Sequence, residues 1–191
     1  MHTDLIAADA VAVRETVRLV AGLTAADLSR PTPCEGWDLG TLLAHMTVQN
    51  QGFAGSGSWE MPPGGRFPDS VRTYAASAEL VMAAFAVPGA LDRPVSLPEI
   101  SPQPFPGRVA IGFHLVDYVV HGWDVATALG VPLELPLSVV EATLPLARAV
   151  PDGPLRLEPG AAFAPALPVP ADAEPLTEIL LRLGRKIVGG S

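Results

Sequence analysis

The sequence contains one cysteine, Cys34, among its 191 residues. A single thiol excludes an internal disulfide framework, and it excludes a structural zinc site built mainly from cysteines. It also excludes redox catalysis by a pair of thiols. The chain is nevertheless long enough to be stabilised by a packed apolar core.

Basic residues are scarce, and lysine is almost absent. The chain has 12 Lys and Arg residues against 20 Asp and Glu residues, so its net charge is −8 and its pI is about 4.8. Proteins that bind phosphate backbones present clusters of positive charge, and this composition offers none. We therefore expect no nucleic-acid partner and no binding to anionic membranes.

Long apolar runs are missing as well. No uninterrupted apolar stretch reaches the ~18 residues that a membrane-spanning helix needs, and the first residues, Met1 to Asp4, lack the basic stretch of a signal peptide. Apolar residues still make up 49% of the chain, with a mean hydropathy of +0.34. These features predict a soluble cytoplasmic protein in which residues 1–191 form a single globular domain.

The spacing of apolar residues predicts an all-α fold. Proline and glycine interrupt the pattern, which predicts a loop over 56–65, a loop with one short strand over 91–107, and an extended Pro-rich segment over 156–170. Four main helices joined by loops predict an antiparallel four-helix bundle, followed by short extra C-terminal helices. The predicted helices cover about residues 4–22, 38–54, 68–85, 109–129, 137–150 and 174–187.

The fourth predicted helix carries ionisable residues although apolar residues lie on every side of it. A helix that is apolar all round is buried, and an ionised side chain inside it must be neutralised, paired or bound to a cation. At about 100° per residue, four such side chains fall on one stripe of the helix. They are His114, Asp117, His121 and Asp124.

The spacing of two of these residues favours a metal site. Asp117 and His121 are one helical turn apart, so both project from the same face. His45, in the middle of the second predicted helix, would add a second nitrogen from a packed neighbour. Two imidazoles and one carboxylate with a vacant position are typical of a catalytic site, since a structural zinc normally has four protein ligands. The same ligands fit zinc, nickel or ferrous iron.

Other interpretations of these residues stay open. A buried histidine is often held in a core by hydrogen bonds alone, and an Asp one turn from a His can form a buried ion pair. His114 is a fourth ligand, a proton carrier at the vacant position, or a hydrogen-bond donor behind the ligands. Asp124 either orients a ligating histidine, or serves as a helix cap or the partner of an arginine. Cys34 lies near a predicted helix start, where a thiol can be acidified, but it is interpreted as a small packed residue.

Three segments of the chain resemble a known group of proteins. Their order and spacing are similar to those of the DinB/YfiT-like superfamily, and within it of the mycothiol-dependent maleylpyruvate isomerase metal-binding-domain proteins of actinobacteria. The end of the chain, over 169–185, looks like that of the shorter single-domain members. The three segments are Thr32-Pro33-Cys34-Glu35-Gly36-Trp37, Leu42-Leu43-Ala44-His45 and Asp117-Tyr118-Val119-Val120-His121-Gly122-Trp123-Asp124.

The resemblance implies a four-helix bundle that holds a divalent metal, usually zinc, at one end of its cavity. By position, His45, Asp117 and His121 match the metal ligands of the family. The acidic ligand of the family is often Glu, so Asp117 is shorter by a methylene group. The isomerase itself also carries a separate C-terminal α/β domain, and the residues after Gly130 are too few and too Pro-rich to supply it in full.

Two functions follow from this resemblance. The first is a metal-dependent thiol transferase or isomerase, in which a low-molecular-weight thiol such as mycothiol attacks a small electrophile. The metal lowers the pKa of the coordinated thiol, and His114 carries the proton, because histidine exchanges protons near neutral pH. The second is a non-catalytic helical bundle, with or without metal, that serves as a binding or dimerisation module. A homodimer stays open in either case.

Overall fold

The structure, a computed structural model, describes residues 4–57, 59–98, 100–158 and 161–187. Within these ranges the backbone is mainly α-helical, which confirms the predicted all-α fold. Parts of the predicted start, loops and extended segment (1–3, 58, 99, 159 and 160) lie outside the described residues. The helices in these ranges are α1 Leu5–Val20, α2 Leu39–Phe53, α3 Ser70–Phe85, α4 Gly107–Leu129, α5 Leu137–Ala149 and α6 Pro175–Arg182.

The first four helices form the bundle. α1 packs against α4 and α3, while α2 packs against α3 and α4, so each helix has two neighbours in a closed ring. Apolar side chains from all four helices meet in one core cluster, in which Val13, Leu43, Tyr74 and Val119 are fully buried. Among the described residues, no helix is both long and apolar enough to cross a bilayer.

Two helix ends lie where the sequence predicts them. Asp38 is the N-cap of α2, and its side chain accepts a hydrogen bond from the Thr41 amide at 2.9 Å. Gly130 ends α4 with a left-handed backbone (φ 72°), which a residue with a Cβ rarely adopts. These local signals fix the start of α2 and the end of α4, the two helices that carry the predicted metal ligands.

The segment between α3 and α4 differs from its prediction. Instead of one short strand it contains two, β1 (Pro94–Val95) and β2 (Phe105–Pro106), which pair antiparallel with Pro94 opposite Pro106. Proline cannot donate a hydrogen bond to a ladder, which explains why the pairing is so short. α4 follows directly at Gly107, slightly before the predicted start.

The C-terminal part of the chain packs on the outside of the bundle. α5 lies against α4 and α1, and α6 lies against α5. The prediction of a sixth helix over 174–187 is wrong at its end, because α6 stops at Arg182. Gly184 has a left-handed backbone (φ 76°) that turns the chain away from the helix axis. Arg185, directly after this turn, contacts α4 through Asp124.

The segment between α5 and α6 is held by a buried arginine. Residues 161–170 have no regular secondary structure and bend at 162–163, and a short 3₁₀ turn, Pro154–Leu157, overlaps the predicted start of the extended segment. Arg156 in this turn donates hydrogen bonds to four backbone carbonyl groups. These carbonyl groups lie outside regular hydrogen-bonding patterns, so the guanidinium provides the donors that they need. The acceptors are Val150, Pro151, Ala164 and Arg182.

Glu178 links α6 to α5 through its carboxylate. Arg148 of α5 donates two hydrogen bonds to it at 2.8 Å, and Arg182 donates a third at 2.7 Å. These contacts lower the pKa of Glu178 to about 2, with Arg148 as the larger cause. The Glu178 side chain is only 11% exposed, but Arg148 is 54% exposed, so solvent screens part of the interaction.

We expect Glu178→Gln to lower the free energy of unfolding by about 1 kcal/mol at neutral pH, which is roughly 2–4 °C in Tm for a domain of this size. A lowered carboxyl pKa stabilises the folded state above the unfolded pKa of about 4.3. The difference between the two proteins should therefore shrink as the pH falls from about 5 toward 2. Thermal melts over this range measure it, with the exposed Glu79→Gln as control. A Tm difference that does not change with pH would contradict the assignment.

Candidate metal centre

α2 and the loop before it position His45. Thr32 holds that loop, because its hydroxyl donates to the Trp37 carbonyl at 2.8 Å and accepts from the Cys34 amide at 3.2 Å. The Trp37 ring lies against the His45 ring, with centroids 4.9 Å apart. His45 is partly exposed, so its imidazole has an aromatic surface on one side and an approach from solvent on another.

α4 presents Asp117 and His121 to the same place. Nε2 of His121 lies 3.3 Å from Oδ1 of Asp117, and the His45 ring meets the His121 ring edge-on with centroids 5.1 Å apart. One ligand atom from each of the three residues lies within 4.8 Å of the others. Metal–ligand distances of about 2 Å require ligand atoms roughly 3–4 Å apart, which small side-chain rotations provide. The structure thus brings the three predicted ligands together.

The Oδ2 atom of Asp117 shows that the site suits a cation. It is buried and has no hydrogen-bond partner in the described part of the chain, although the side chain as a whole is 18% exposed. An unpaired buried carboxylate oxygen is costly, and a cation beside it removes that cost. Two imidazole nitrogens and a carboxylate oxygen are a donor set for zinc and its neighbours in the first transition row. The residues present therefore fit a divalent metal.

Asp124 lies on the other side of the His121 ring. Its Oδ2 atom is 2.9 Å from Nδ1 of His121, and its side chain is fully buried. A carboxylate only accepts, so the proton of this hydrogen bond is on Nδ1. In a neutral His121 ring the lone pair is then on Nε2, which lies 3.3 Å from Oδ1 of Asp117. This is the arrangement by which a carboxylate orients a metal-ligating histidine. Without a cation, Nε2 can instead carry a second proton and donate it to that oxygen.

Burial and neighbouring charges act differently on the ionisable groups of the site. Burial lowers the pKa of His45 to about 4, so this imidazole is neutral at physiological pH and its lone pair is free. Burial also opposes a charge on His121, but the carboxylates of Asp117 and Asp124 outweigh it and raise the pKa of His121. Burial raises the pKa of Asp117, yet contact with His121 lowers it to about 2. The negative potential of the two carboxylates favours a proton or a metal cation.

A second cluster, formed by Cys34, Asp124 and Arg185, adjoins the Nδ1 side of His121. Sγ of Cys34 lies 3.8 Å from Nδ1 of His121 and donates to Oδ2 of Asp124 at 3.2 Å. Arg185 donates to both oxygens of Asp124, with a shortest distance of 2.7 Å. The guanidinium supplies the positive charge that balances Asp124, so this cluster already contains its cation.

His114 lies in a different part of the core. Its Nδ1 atom is 2.7 Å from Oδ1 of Asp9, and its Nε2 atom is 3.1 Å from Oδ1 of Asn50. The ring is fully buried against Phe53 and Phe85. Both ring nitrogens are thus occupied, and among the described residues His114 is not grouped with those that could hold a metal. Its role as ligand or proton carrier stays a prediction, and this geometry does not favour it.

Three residues that matter here are not apparent from the sequence. Asp9 and Asn50 reach His114 from α1 and α2, and apolar periodicity does not reveal such long-range contacts. The sequence allows an arginine partner for Asp124, and this partner is Arg185. Its identity is not apparent, because the predicted sixth helix includes residue 185. Two signals were available: the family resemblance of the segment 169–185, which includes Arg185, and Gly184, since a glycine near a helix end often marks a left-handed turn.

Comparisons with known proteins identify the family. Residues 10–126 match the profile of the family described as Mycothiol maleylpyruvate isomerase N-terminal domain, which is the group that the sequence motifs resemble. Two proteins of Mycobacterium tuberculosis, uncharacterized protein MT0763 (strain CDC 1551 / Oshkosh) and uncharacterized protein Rv0738 (strain ATCC 25618 / H37Rv), are each 31% identical to the chain over 171 residues. The match covers 88% of this chain and 91% of each relative. No solved structure matches the chain significantly.

The environments of His114 and His45 predict different effects of substitution, one mainly on stability and the other mainly on zinc binding. His114→Gln disturbs a buried pair with Asp9 and should lower the free energy of unfolding by about 3 kcal/mol, while zinc binding is retained. His45→Ala should abolish tight zinc binding with a smaller loss of stability, because His45 is less buried than His114 and has no carboxylate hydrogen-bonded to it in the described chain. Chemical denaturation and elemental analysis of both variants measure these changes. Loss of zinc by a folded His114→Gln variant would instead place His114 among the ligands.

Proposed function

The chain belongs to the mycothiol maleylpyruvate isomerase N-terminal domain family, and from this premise we propose that it is a metal-dependent enzyme of thiol chemistry. In this proposal His45, Asp117 and His121 hold a divalent cation, zinc in preference to nickel or iron. The cosubstrate is a low-molecular-weight thiol of the mycothiol type. The second substrate is a small electrophile that is either joined to the thiol or isomerised.

The buried, unpaired oxygen of Asp117 is the observation that supports this proposal most strongly. A carboxylate that serves only in an ion pair with His121 would have its remaining oxygen hydrogen-bonded or in water, whereas this oxygen is buried without a partner among the described residues. A structural zinc would normally have four protein ligands. Three residues converge here within the described chain, which is the number expected when a substrate takes the remaining position.

In the proposed site, the cation binds the thiol, and neighbouring side chains position the ligands. When bound, the cation lowers the pKa of a coordinated thiol, so that thiolate is available at neutral pH. Asp124 keeps Nε2 of His121 directed at the site, and Trp37 covers one side of His45. The His121 side chain is only 4% exposed and Asp117 is 18% exposed, so substrates approach from the side of Asp117 and His45.

Two reaction types fit a thiolate in this position. In a transfer, the sulfur forms a bond to an electrophilic carbon, and the leaving group departs with the electron pair of the bond that breaks. In an isomerisation, the sulfur adds to a conjugated double bond, the resulting single bond rotates, and elimination of the thiolate restores the double bond. The family description supports the second type. Both begin with the same thiolate, so one binding experiment tests the common step.

We expect tag-free protein to contain zinc in stoichiometric amount, and its cobalt-substituted form to change its visible spectrum when mycothiol is added. Asp117→Asn and His121→Ala should lose both the metal and the spectral response, because the first replaces a charged ligand by a weak neutral one and the second removes a ligand. Asp92→Asn, the same chemical change at a side chain that is 75% exposed, is the matched control. Elemental analysis and a thiol titration of the cobalt protein provide the measurements.

Three results would contradict the proposal. Full zinc content in folded His121→Ala would remove the ligand assignment. Stoichiometric cobalt with no spectral response to thiol would favour a structural metal in a non-catalytic binding module. A folded wild-type protein that binds no added zinc would favour a metal-free module.

A further inference from the structure

We propose that Arg185 is a positioning residue of the metal centre, which acts on His121 through Asp124. The inference rests on the proposed role of His121 as a ligand, and it adds a residue that lies well beyond the family-matched range of 10–126. The turn at Gly184 thereby becomes part of the site.

The contacts run in an unbroken series from the guanidinium to the ligand. Nε of Arg185 donates to Oδ1 of Asp124 at 2.9 Å, and Nη2 donates to Oδ2 at 2.7 Å. Oδ2 also accepts from Nδ1 of His121 at 2.9 Å. The Arg185 side chain is 7% exposed and that of Asp124 is 0% exposed. Solvent therefore screens this series very little.

The positive charge of Arg185 offsets the free-energy cost of burying the Asp124 carboxylate. Among the described residues, the hydrogen-bond donors to its carboxylate are Arg185, His121 and the weakly donating thiol of Cys34. A buried carboxylate that loses its charged partner is strongly disfavoured. Without the guanidinium, Asp124 would turn toward other donors or water, and Nδ1 of His121 would lose the acceptor that fixes the direction of Nε2.

The fold places the guanidinium there by a turn that requires glycine. Gly184 has φ 76°, and a Cβ on it would lie 2.6 Å from the carbonyl oxygen of Ala164. Arg156 fixes both sides of this turn, since its Nη1 donates to the carbonyls of Ala164 at 3.1 Å and Arg182 at 2.7 Å. Backbone conformation and close packing together direct Arg185 into the bundle.

The same guanidinium argues against Cys34 as a metal ligand, although Cys34, His121 and Asp124 also have ligand atoms within 4.8 Å of one another. Nη2 of Arg185 donates to Sγ of Cys34 at 3.5 Å. A metal held by Cys34, His121 and Asp124 would lie next to this fixed positive charge, and it would have to replace the hydrogen bonds that Arg185 makes. The cation of this cluster is the guanidinium, and the metal belongs on the opposite side of the His121 ring.

Two substitutions test the proposal by different routes. Arg185→Gln removes the charge, and Gly184→Ala redirects the chain while the charge is kept. Each should weaken zinc binding by about tenfold or more, the range typical of partners behind a metal ligand. Each should also speed the hydrogen exchange of the His121 Nδ1–H, observed by NMR in metal-free protein, because its acceptor is no longer fixed. Arg185→Lys keeps the positive charge but lacks the planar guanidinium that donates to both carboxylate oxygens. Its zinc affinity and its exchange rate should therefore lie between those of the wild type and Arg185→Gln.

Matched controls separate positioning from general destabilisation. Arg182→Gln removes a guanidinium from the same region that pairs with Glu178 instead of Asp124. Gly89→Ala imposes the same left-handed strain (φ 81°) at a position with open space. Neither control should alter zinc affinity or the exchange of the His121 proton. Thermal melts measure the loss of stability in each variant, so that zinc affinity is compared only at temperatures at which every variant is folded.

The outcomes are distinct. Wild-type zinc affinity and an unchanged Nδ1–H in Arg185→Gln would overturn the proposal, as would equal effects in the Arg182→Gln control. If Arg185→Gln does not fold, Arg185→Lys and Gly184→Ala decide by the same two readouts. If the wild-type protein binds no zinc, the proposed function fails, and the exchange of the His121 proton in metal-free protein still decides the role of Arg185.

Discussion

The fixed position of the His121 ring is the constraint on which the rest of the site depends. One ring nitrogen faces Asp124, and the other faces Asp117 near His45. Two of these neighbours have further contacts: Arg185 forms an ion pair with Asp124, and the Trp37 ring lies against His45. The His121 ring therefore joins a buried ion pair on one side to the partly exposed Asp117 and His45, the proposed metal ligands, on the other.

α4 carries two polar layers of different character. In the layer around His114, Asn50 donates to Ser77 at 2.9 Å and accepts from Tyr118 at 2.8 Å as well as contacting His114. Buried networks of this kind specify how helices pack, because a partner lost from them is costly. Beside this network, the Tyr74 hydroxyl has no hydrogen-bond partner in the described chain. The layer at His121 instead leaves Oδ2 of Asp117 without a partner in the described chain. The first layer stabilises the bundle, and the second is suited to a ligand.

The sequence predicts those features that depend on local geometry. Asp38 and Gly130 mark helix ends by their own hydrogen bonds and backbone preference, and the helical repeat places Asp117 and His121 on one face whatever the rest of the fold does. The approach of His45 depends on how α2 packs on α4, so spacing alone left it open and the family resemblance supplied it. Arg185 could not be predicted, because a single left-handed residue decides whether it continues a surface helix or enters the core. The partners of His114 come from two other helices.

X-ray absorption at the zinc edge of zinc-loaded, thiol-free protein tests the central claim most directly. We expect only nitrogen and oxygen neighbours at about 2.0–2.1 Å, with the outer scattering of two imidazoles. A sulfur neighbour at about 2.3 Å would contradict this, because Cys34 would then have left Asp124 and Arg185 to bind the metal. Scattering from fewer than two imidazoles would contradict the assignment of His45 and His121.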